Sequence, residues 1–555
     1  MKAICLLLTL LVCLGVYSQQ YEKLEARIFI KDSITLATDV YKPKGQGTWP
    51  VILIRTPYNK DQNQMDGTFF SSKGYVVVIQ DVRGKYKSTG QFIPFINEIE
   101  DGIITMNWII DQPWSNKMVG YYGSSYGGFC GLSLSDGKHT ALKTIFNNAG
   151  WLTNQNVIEE GGATNLLLGM PWTYLFTRTN AMRRPNIRFD SLFKILPVNK
   201  MLTGSGFTDW WRDLDTLLSV NRNFKYQNVT MPIMHMTGWF DFTMKGTINF
   251  YERVSKFKHS KQKLVIGPWS HGQNYFPDST KVGDEDLGVE AKYGLPKLRE
   301  TALNWFNQHL KSTEPIDRTT EIFVLFDNKW VSVHPDLKRN TKFQRLYLFS
   351  ERGANSKNGD GKLIAQKSSK LSIDTFTYDP LKPLPTNGGA NFHFFPNYLG
   401  IRDQTKLQNR KDLLVYISEP MTSNTTIIGT PSIDLYVSSS AESTDFSVRL
   451  FMVDDSSSRK LLTDGIKRLS SSTNNFTPGN VHRIKIDLGS IGFSLKKGQR
   501  IGVEISSSNF PKFDRNLNTN EPIVSATTVK RAQQTVYHDK INPSSLSLPI
   551  YKGNK

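Results

Sequence analysis

Gly123-Ser124-Ser125-Tyr126-Gly127 reads G-x-S-x-G. It follows the apolar segment Met118 to Tyr122 and precedes a helix-compatible one, Phe129 to Leu134. Between a strand and a helix, this pattern lifts a serine hydroxyl above the sheet on a tight, strained turn, and the glycines let strand and helix pass close together. The spacing makes Ser125, rather than Ser124, the candidate nucleophile. A motif this short also arises by chance, as a Gly-Ser turn without catalytic meaning, so its place after a buried strand carries the weight. A serine needs a base, and the base needs an orienting acid. In a sheet of this kind the chain order is serine, acid, histidine. The strand Pro232 to Thr237 is followed by Gly238-Trp239-Phe240-Asp241, and the strand Lys263 to Gly267 by Pro268-Trp269-Ser270-His271. Asp241 is therefore the candidate acid and His271 the candidate base. His235 lies inside an apolar strand and reads as a core residue.

Attack on a carbonyl creates an oxyanion that needs two donors. The backbone N–H of Tyr126, just after the nucleophile, is one candidate. The other is expected from the loop after an early strand, where Arg55-Thr56-Pro57-Tyr58 closes Pro50 to Thr56. No glycine run is present there to aim a backbone N–H, so Tyr58 is either a hydroxyl donor or a tyrosine packed at a strand end. Trp151, Trp172 and Phe242 are candidates for an apolar substrate pocket, with core packing the plainer reading of each. Cys130, five residues past Ser125, reads as a small buried residue rather than a second nucleophile. There is no H-E-x-x-H, no paired C-x-x-C and no glycine-rich phosphate loop after a strand, so neither metal nor cofactor is implied.

These residues need a sheet to position them. Short continuous apolar runs (Pro50 to Thr56, Tyr75 to Ile79, Met118 to Tyr122) fit strands buried on both faces, and helical spacing recurs between them, as over Asp101 to Ile110. The expected fold class is α/β, with residues 19–150 and 231–344 forming two parts of one doubly wound core. Residues 151–230 lack a clear buried strand and read as a mostly helical cap, with Trp210 and Trp211 among its aromatic residues. From about residue 345 short strands alternate with Gly, Ser, Asn and Pro clusters, which predicts a β-sandwich or jelly-roll domain over 345–555.

The chain has 555 residues, and 68 Lys plus Arg against 49 Asp plus Glu leave 68 − 49 = +19. The positive charge is spread along the chain rather than gathered into one face, so nucleic acid is not the expected partner. The densest cluster, Lys256, Lys258, Lys261 and Lys263, reads as a solvated helix end. Lys2, the apolar run Ala3 to Val16 and the residues Val16-Tyr17-Ser18 match a secretory signal peptide (1–18) cut before Gln19. The run falls short of the roughly 20 residues a membrane span needs. Cleavage removes Cys5 and Cys13, which leaves Cys130 alone and no internal disulfide. The expected protein is secreted or periplasmic, without stable membrane insertion. A homo-oligomer is compatible with the sequence.

One set of motifs runs in order along the chain: Arg55-Thr56-Pro57-Tyr58, Gln80-Asp81-Val82-Arg83-Gly84, Gln112-Pro113-Trp114-Ser115, Gly123-Ser124-Ser125-Tyr126-Gly127-Gly128, Gly238-Trp239-Phe240-Asp241, Gly267-Pro268-Trp269-Ser270-His271 and Phe513-Asp514-Arg515-Asn516. In this order they resemble the X-prolyl dipeptidyl-peptidase and cocaine esterase family of serine hydrolases. The resemblance implies an α/β-hydrolase core, a helical cap and a C-terminal jelly roll. It also implies Ser125, Asp241 and His271 as the triad, with Tyr58 and the Tyr126 N–H as oxyanion donors. The substrate it implies is a small-molecule ester or amide, or a short peptide. Dedicated dipeptidyl-peptidases carry a long N-terminal domain, whereas here the core sheet starts almost at once. The expectation is therefore an ester- or amide-cleaving acylase, with a strict X-Pro dipeptidyl aminopeptidase as the alternative. A binding protein with a vestigial triad is disfavoured because every triad position is filled.

Overall fold

A computed structural model describes residues 21–137, 139–155, 157–176, 188–202, 218–312, 319–392 and 395–553. The signal-peptide segment and Trp210 and Trp211 lie outside the described residues.

The first half is built on a ten-stranded sheet. Its strands are β1 (Tyr21–Lys31), β2 (Ile34–Pro43), β3 (Trp49–Thr56), β4 (Val76–Asp81), β5 (Ser115–Ser124), β6 (Leu142–Asn148), β7 (Ile233–Phe240), β8 (Gln262–Ser270), β9 (Thr320–Val324) and β10 (Lys329–Val333). The spatial order is β1-β2-β4-β3-β5-β6-β7-β8-β9-β10. From β4 through β9 neighbouring strands run parallel, and the β1–β2 hairpin and β10 add antiparallel edges. The central strands are apolar in unbroken runs because both faces are covered.

Alternate residues of one strand serve opposite faces. Val51 and Leu53 pack with α2 (Glu98–Ile110) and α3 (Tyr126–Ser133), through Met106, Ile109 and Phe129. Ile52 and Ile54 pack on the other face with α1 (Gln64–Ser72) and a later helix, Gly294–Phe306, through Phe70, Leu298 and Trp305. Strand β6 is not announced by any apolar run, since its last two residues, Asn147 and Asn148, are polar and buried. The segment after it carries α4 (Leu166–Phe176), a helix that is apolar nearly all round and mostly buried. The remaining core helices are α5 (Met244–Ser255) and α6 (Gly294–Phe306).

From Thr341 to Tyr551 the chain is all-β, and its described strands join in a 13-stranded sheet system. It does not hang free of the core. Trp239, Ile322 and Phe323 share one apolar cluster with Ile491 and Phe493. Backbone bonds also tie the two halves together, among them Leu325 N–H to Gly492 O at 2.9 Å and Leu166 N–H to Lys512 O at 2.8 Å.

Candidate active site

Ser125 stands at the turn between β5 and α3 with φ 55° and ψ −123°. A non-glycine residue in that region costs on the order of 1–3 kcal/mol. The surroundings hold it there: its N–H donates to Asn148 O at 2.9 Å, and its carbonyl accepts the Phe129 N–H at 3.1 Å. A side chain on Gly123 would run into the Gly127 carbonyl, so the first glycine of the motif is a steric requirement of this turn.

Asp241 and His271 come from neighbouring parallel strands. Ser270 of β8 lies beside Phe240 of β7, so the next residue of each chain emerges at the same edge of the sheet. His271 Nδ1 is 2.9 and 3.1 Å from the two Asp241 carboxylate oxygens, and His271 Nε2 is 3.0 Å from Ser125 Oγ. An ionised carboxylate only accepts, so Nδ1 carries the proton and Nε2 offers its lone pair to the serine hydroxyl. Asp241 Oδ1 accepts two further bonds, from the Thr243 N–H and the Thr243 hydroxyl, both at 2.8 Å. The Phe242 ring lies 4.3 Å from the His271 ring, centre to centre, and covers the imidazole. His235 is buried elsewhere in β7, bonded to Gln262 at 2.9 Å, and burial pulls its pKa down to about 4.

Tyr58 and Tyr126 converge on the nucleophile. The Tyr58 hydroxyl accepts the Trp172 indole N–H at 3.1 Å and interacts with Ser125 and with the Tyr126 backbone N–H. Burial pushes the Tyr58 phenol above its ordinary value, which keeps it protonated and able to donate. The Tyr126 side chain points away from the reaction. Its hydroxyl donates to Glu98 at 2.9 Å and accepts the Phe95 N–H at 2.8 Å, which anchors the start of α3. Cys130, one turn further on, is buried, and burial raises its thiol well above the usual range.

Ser125, His271 and Tyr58 open onto a cavity of about 390 Å³. Its apolar wall includes Phe176, Phe276, Leu295 and Phe392. The three aromatic residues expected there from sequence stand behind that wall. Trp151 is buried and bonds to Asn154, Trp172 backs Tyr58, and Phe242 backs His271. Phe392, from the all-β half, was invisible to spacing arguments. Its ring lies 5.6 Å from that of Phe242 and 6.3 Å from that of His271. Thr243 was also not identified as a partner of Asp241, although Asp-x-Thr is an Asx-turn pattern. Among the described residues, no group of three or more His, Cys, Asp or Glu is placed to hold a metal ion.

Residues 32–273 match the family model for X-Pro dipeptidyl-peptidase (S15 family), and residues 318–547 match that for the X-Pro dipeptidyl-peptidase C-terminal non-catalytic domain. The cocaine esterase of Rhodococcus sp. (strain MB1 Bresler) is 29% identical over 94% of this chain and 97% of its own. In fold, the chain is similar to an aminopeptidase from the marine sediment archaeon Thaumarchaeota archaeon (TM-score 0.81, 23% identity, 96% of this chain and 97% of that one). It is equally similar to an α-amino acid ester hydrolase (TM-score 0.80, 24% identity, the same coverages). Fold and relatives together define a serine hydrolase of the ester- and peptide-cleaving kind. The chain belongs to the X-Pro dipeptidyl-peptidase and cocaine esterase family.

Proposed function

We propose that this protein is an exported serine hydrolase that cleaves small esters or amides through an acyl-enzyme. The observation that carries this is the unbroken hydrogen-bonded chain from Asp241 through His271 to Ser125, ending at a cavity. Ser125 Oγ attacks the substrate carbonyl as its proton passes to His271 Nε2. The carbonyl oxygen becomes an oxyanion held by the Tyr58 hydroxyl and the Tyr126 N–H. The imidazolium, steadied by Asp241, then gives that proton to the leaving alcohol or amine, and the acyl–Ser125 ester remains. Water repeats the sequence and releases the acid. The leader-like first eighteen residues support action outside the cytoplasm.

The test uses the chain from Gln19 onward and two chromogenic substrates, a short-chain aryl ester and an Ala-Pro anilide with a free N-terminus. Ester turnover that disappears in Ser125→Ala is the expected result. Retained turnover in that variant would refute the assignment. Strong anilide cleavage that requires the free N-terminus would move the reading to an X-Pro dipeptidyl-peptidase.

A further inference from the structure

The cavity in front of Ser125 has a polar end that the proposed mechanism does not use. Asp66 of α1 and Arg299 of α6 both line it, together with Tyr122 and Tyr275. Arg299 Nε donates to Asp66 Oδ1 at 2.6 Å, and each side chain keeps 11% of its surface exposed. That bond occupies one edge of the guanidinium. Among the described residues, neither Nη group of Arg299 has a hydrogen-bond partner, and neither is sealed from solvent. A planar fork of N–H groups held in place by a carboxylate behind it, and open on a cavity, is suited to accept a second carboxylate with two parallel bonds. Of the two arginines that line this cavity, Arg55 is fully buried and paired with Glu98 and Asp101, and Arg299 is the one whose side chain keeps exposed surface.

We propose that Arg299, oriented by Asp66, is a specificity-determining residue that binds a carboxylate on the substrate. This rests on the reading of Ser125 as the nucleophile. The preferred substrate class is then an ester or amide that carries an acidic group at a distance from the scissile bond. Asp66 plays two opposed parts: it fixes the guanidinium, and its own charge weakens the pull on the incoming carboxylate. A purely structural clamp between α1 and α6 would have no such opposition.

The experiment measures covalent labelling of Ser125 in the full-length protein, which does not depend on knowing the natural substrate. Pairs of fluorophosphonates are compared over a graded series of chain lengths. Each pair shares one alkyl chain, ending either in a carboxylate or in its methyl ester. The ratio of the two second-order labelling rates is read in the parent protein, Arg299→Gln, Arg299→Lys and Asp66→Asn. At the best chain length the parent is expected to favour the carboxylate. Arg299→Gln should cut that ratio by about tenfold to a hundredfold, the usual worth of a charge-assisted hydrogen bond. Arg299→Lys, which keeps the charge and loses the fork, should fall between, and Asp66→Asn should raise the ratio. Thermal unfolding of each variant reports any damage to the fold, and the ratio cancels losses common to both probes. A ratio unchanged by Arg299→Gln at every chain length, or lowered alike by Arg299→Gln and Asp66→Asn, overturns the proposal. Absence of labelling by every probe, or labelling that persists in Ser125→Ala, removes the hydrolase mechanism itself and is distinguishable from a failure at Arg299.

Discussion

Replacing Tyr58 by Phe removes a single oxygen from the wall of the cavity. That oxygen accepts the Trp172 N–H at 3.1 Å, and an indole nitrogen can only donate. The phenol proton is therefore not consumed by Trp172 and is free to point at Ser125 and at the oxyanion that forms there. Loss of one oxyanion donor costs about 2.7–4 kcal/mol in the transition state, or roughly a hundredfold to a thousandfold in kcat. KM should change little, because the bond strengthens only as charge develops. A second effect is separable. Without the Tyr58 oxygen the Trp172 N–H is left unpaired, at a cost to folding of about 1–3 kcal/mol. Tyr58→Phe should thus lower both kcat and the melting temperature. Trp172→Phe removes the indole donor and leaves the Tyr58 hydroxyl in place, so it should melt lower while keeping kcat within about tenfold of the parent. Initial rates on an aryl ester, with thermal melts of both variants, decide the matter. If Tyr58→Phe keeps kcat within about threefold, or if the two variants lose the same activity, Tyr58 is a packing strut and the oxyanion assignment fails.

Three further outcomes follow from the same geometry. Thr243→Val takes the hydroxyl hydrogen bond from Asp241 Oδ1 and leaves the backbone N–H bond of residue 243 and the His271 contact in place, so kcat should fall by about tenfold, with unchanged extent of labelling by a serine-directed phosphonate. A parental kcat would mean that Thr243 does not help orient the acid. Cys130 is buried and its thiol is pushed up by burial, so peptide mass mapping after iodoacetamide treatment at pH 8 should find Cys130 unmodified in the native protein and modified after denaturation. Modification in the native state would show that the helix after Ser125 opens. In the all-β half, Asp374 accepts bonds from Ser350, His538 and Tyr416. Burial pushes its carboxyl up, but hydrogen bonds and charge from His538 and the Tyr416 bond outweigh this and leave it below the ordinary carboxylate value. A lowered folded pKa gives stability that is present in full above the unfolded value, about 3.9, and is lost as pH falls through the folded value. The stability gap between the parent and Asp374→Asn, read from denaturant unfolding, should therefore narrow as pH drops below about 4, and a gap that stays constant would contradict the assignment.

What could be read along the chain was whatever short-range sterics enforce. The elbow is one case. Ser125 holds φ 55° beside a glycine at 123, because a side chain there would meet the carbonyl of residue 127, and that requirement lies within five residues of sequence. Asp241 and His271 could be named because each directly follows a run of apolar residues that can only be a buried strand, and consecutive parallel strands deliver their ends to one edge. Strand β6 escaped notice because its polar end, Asn147 and Asn148, serves the elbow rather than the apolar core.

The cavity depends on packing that leaves no local mark. Aromatic identity at Trp151, Trp172 and Phe242 implies burial, but not which side of the wall each ring takes; all three stand behind it. Phe392 reaches His271 only because the all-β half shares an apolar core with β7 and β9. Asp66 and Arg299 meet only because α1 and α6 cover the same face of the sheet, and nothing near either residue in sequence announces the other. The chemistry of the bond-breaking group was therefore written into neighbouring residues, where turn geometry dictates residue type. The shape and charge of the space in front of it arise from helices and a second domain brought together by burial of apolar surface, a force that is non-directional and carries no spacing rule.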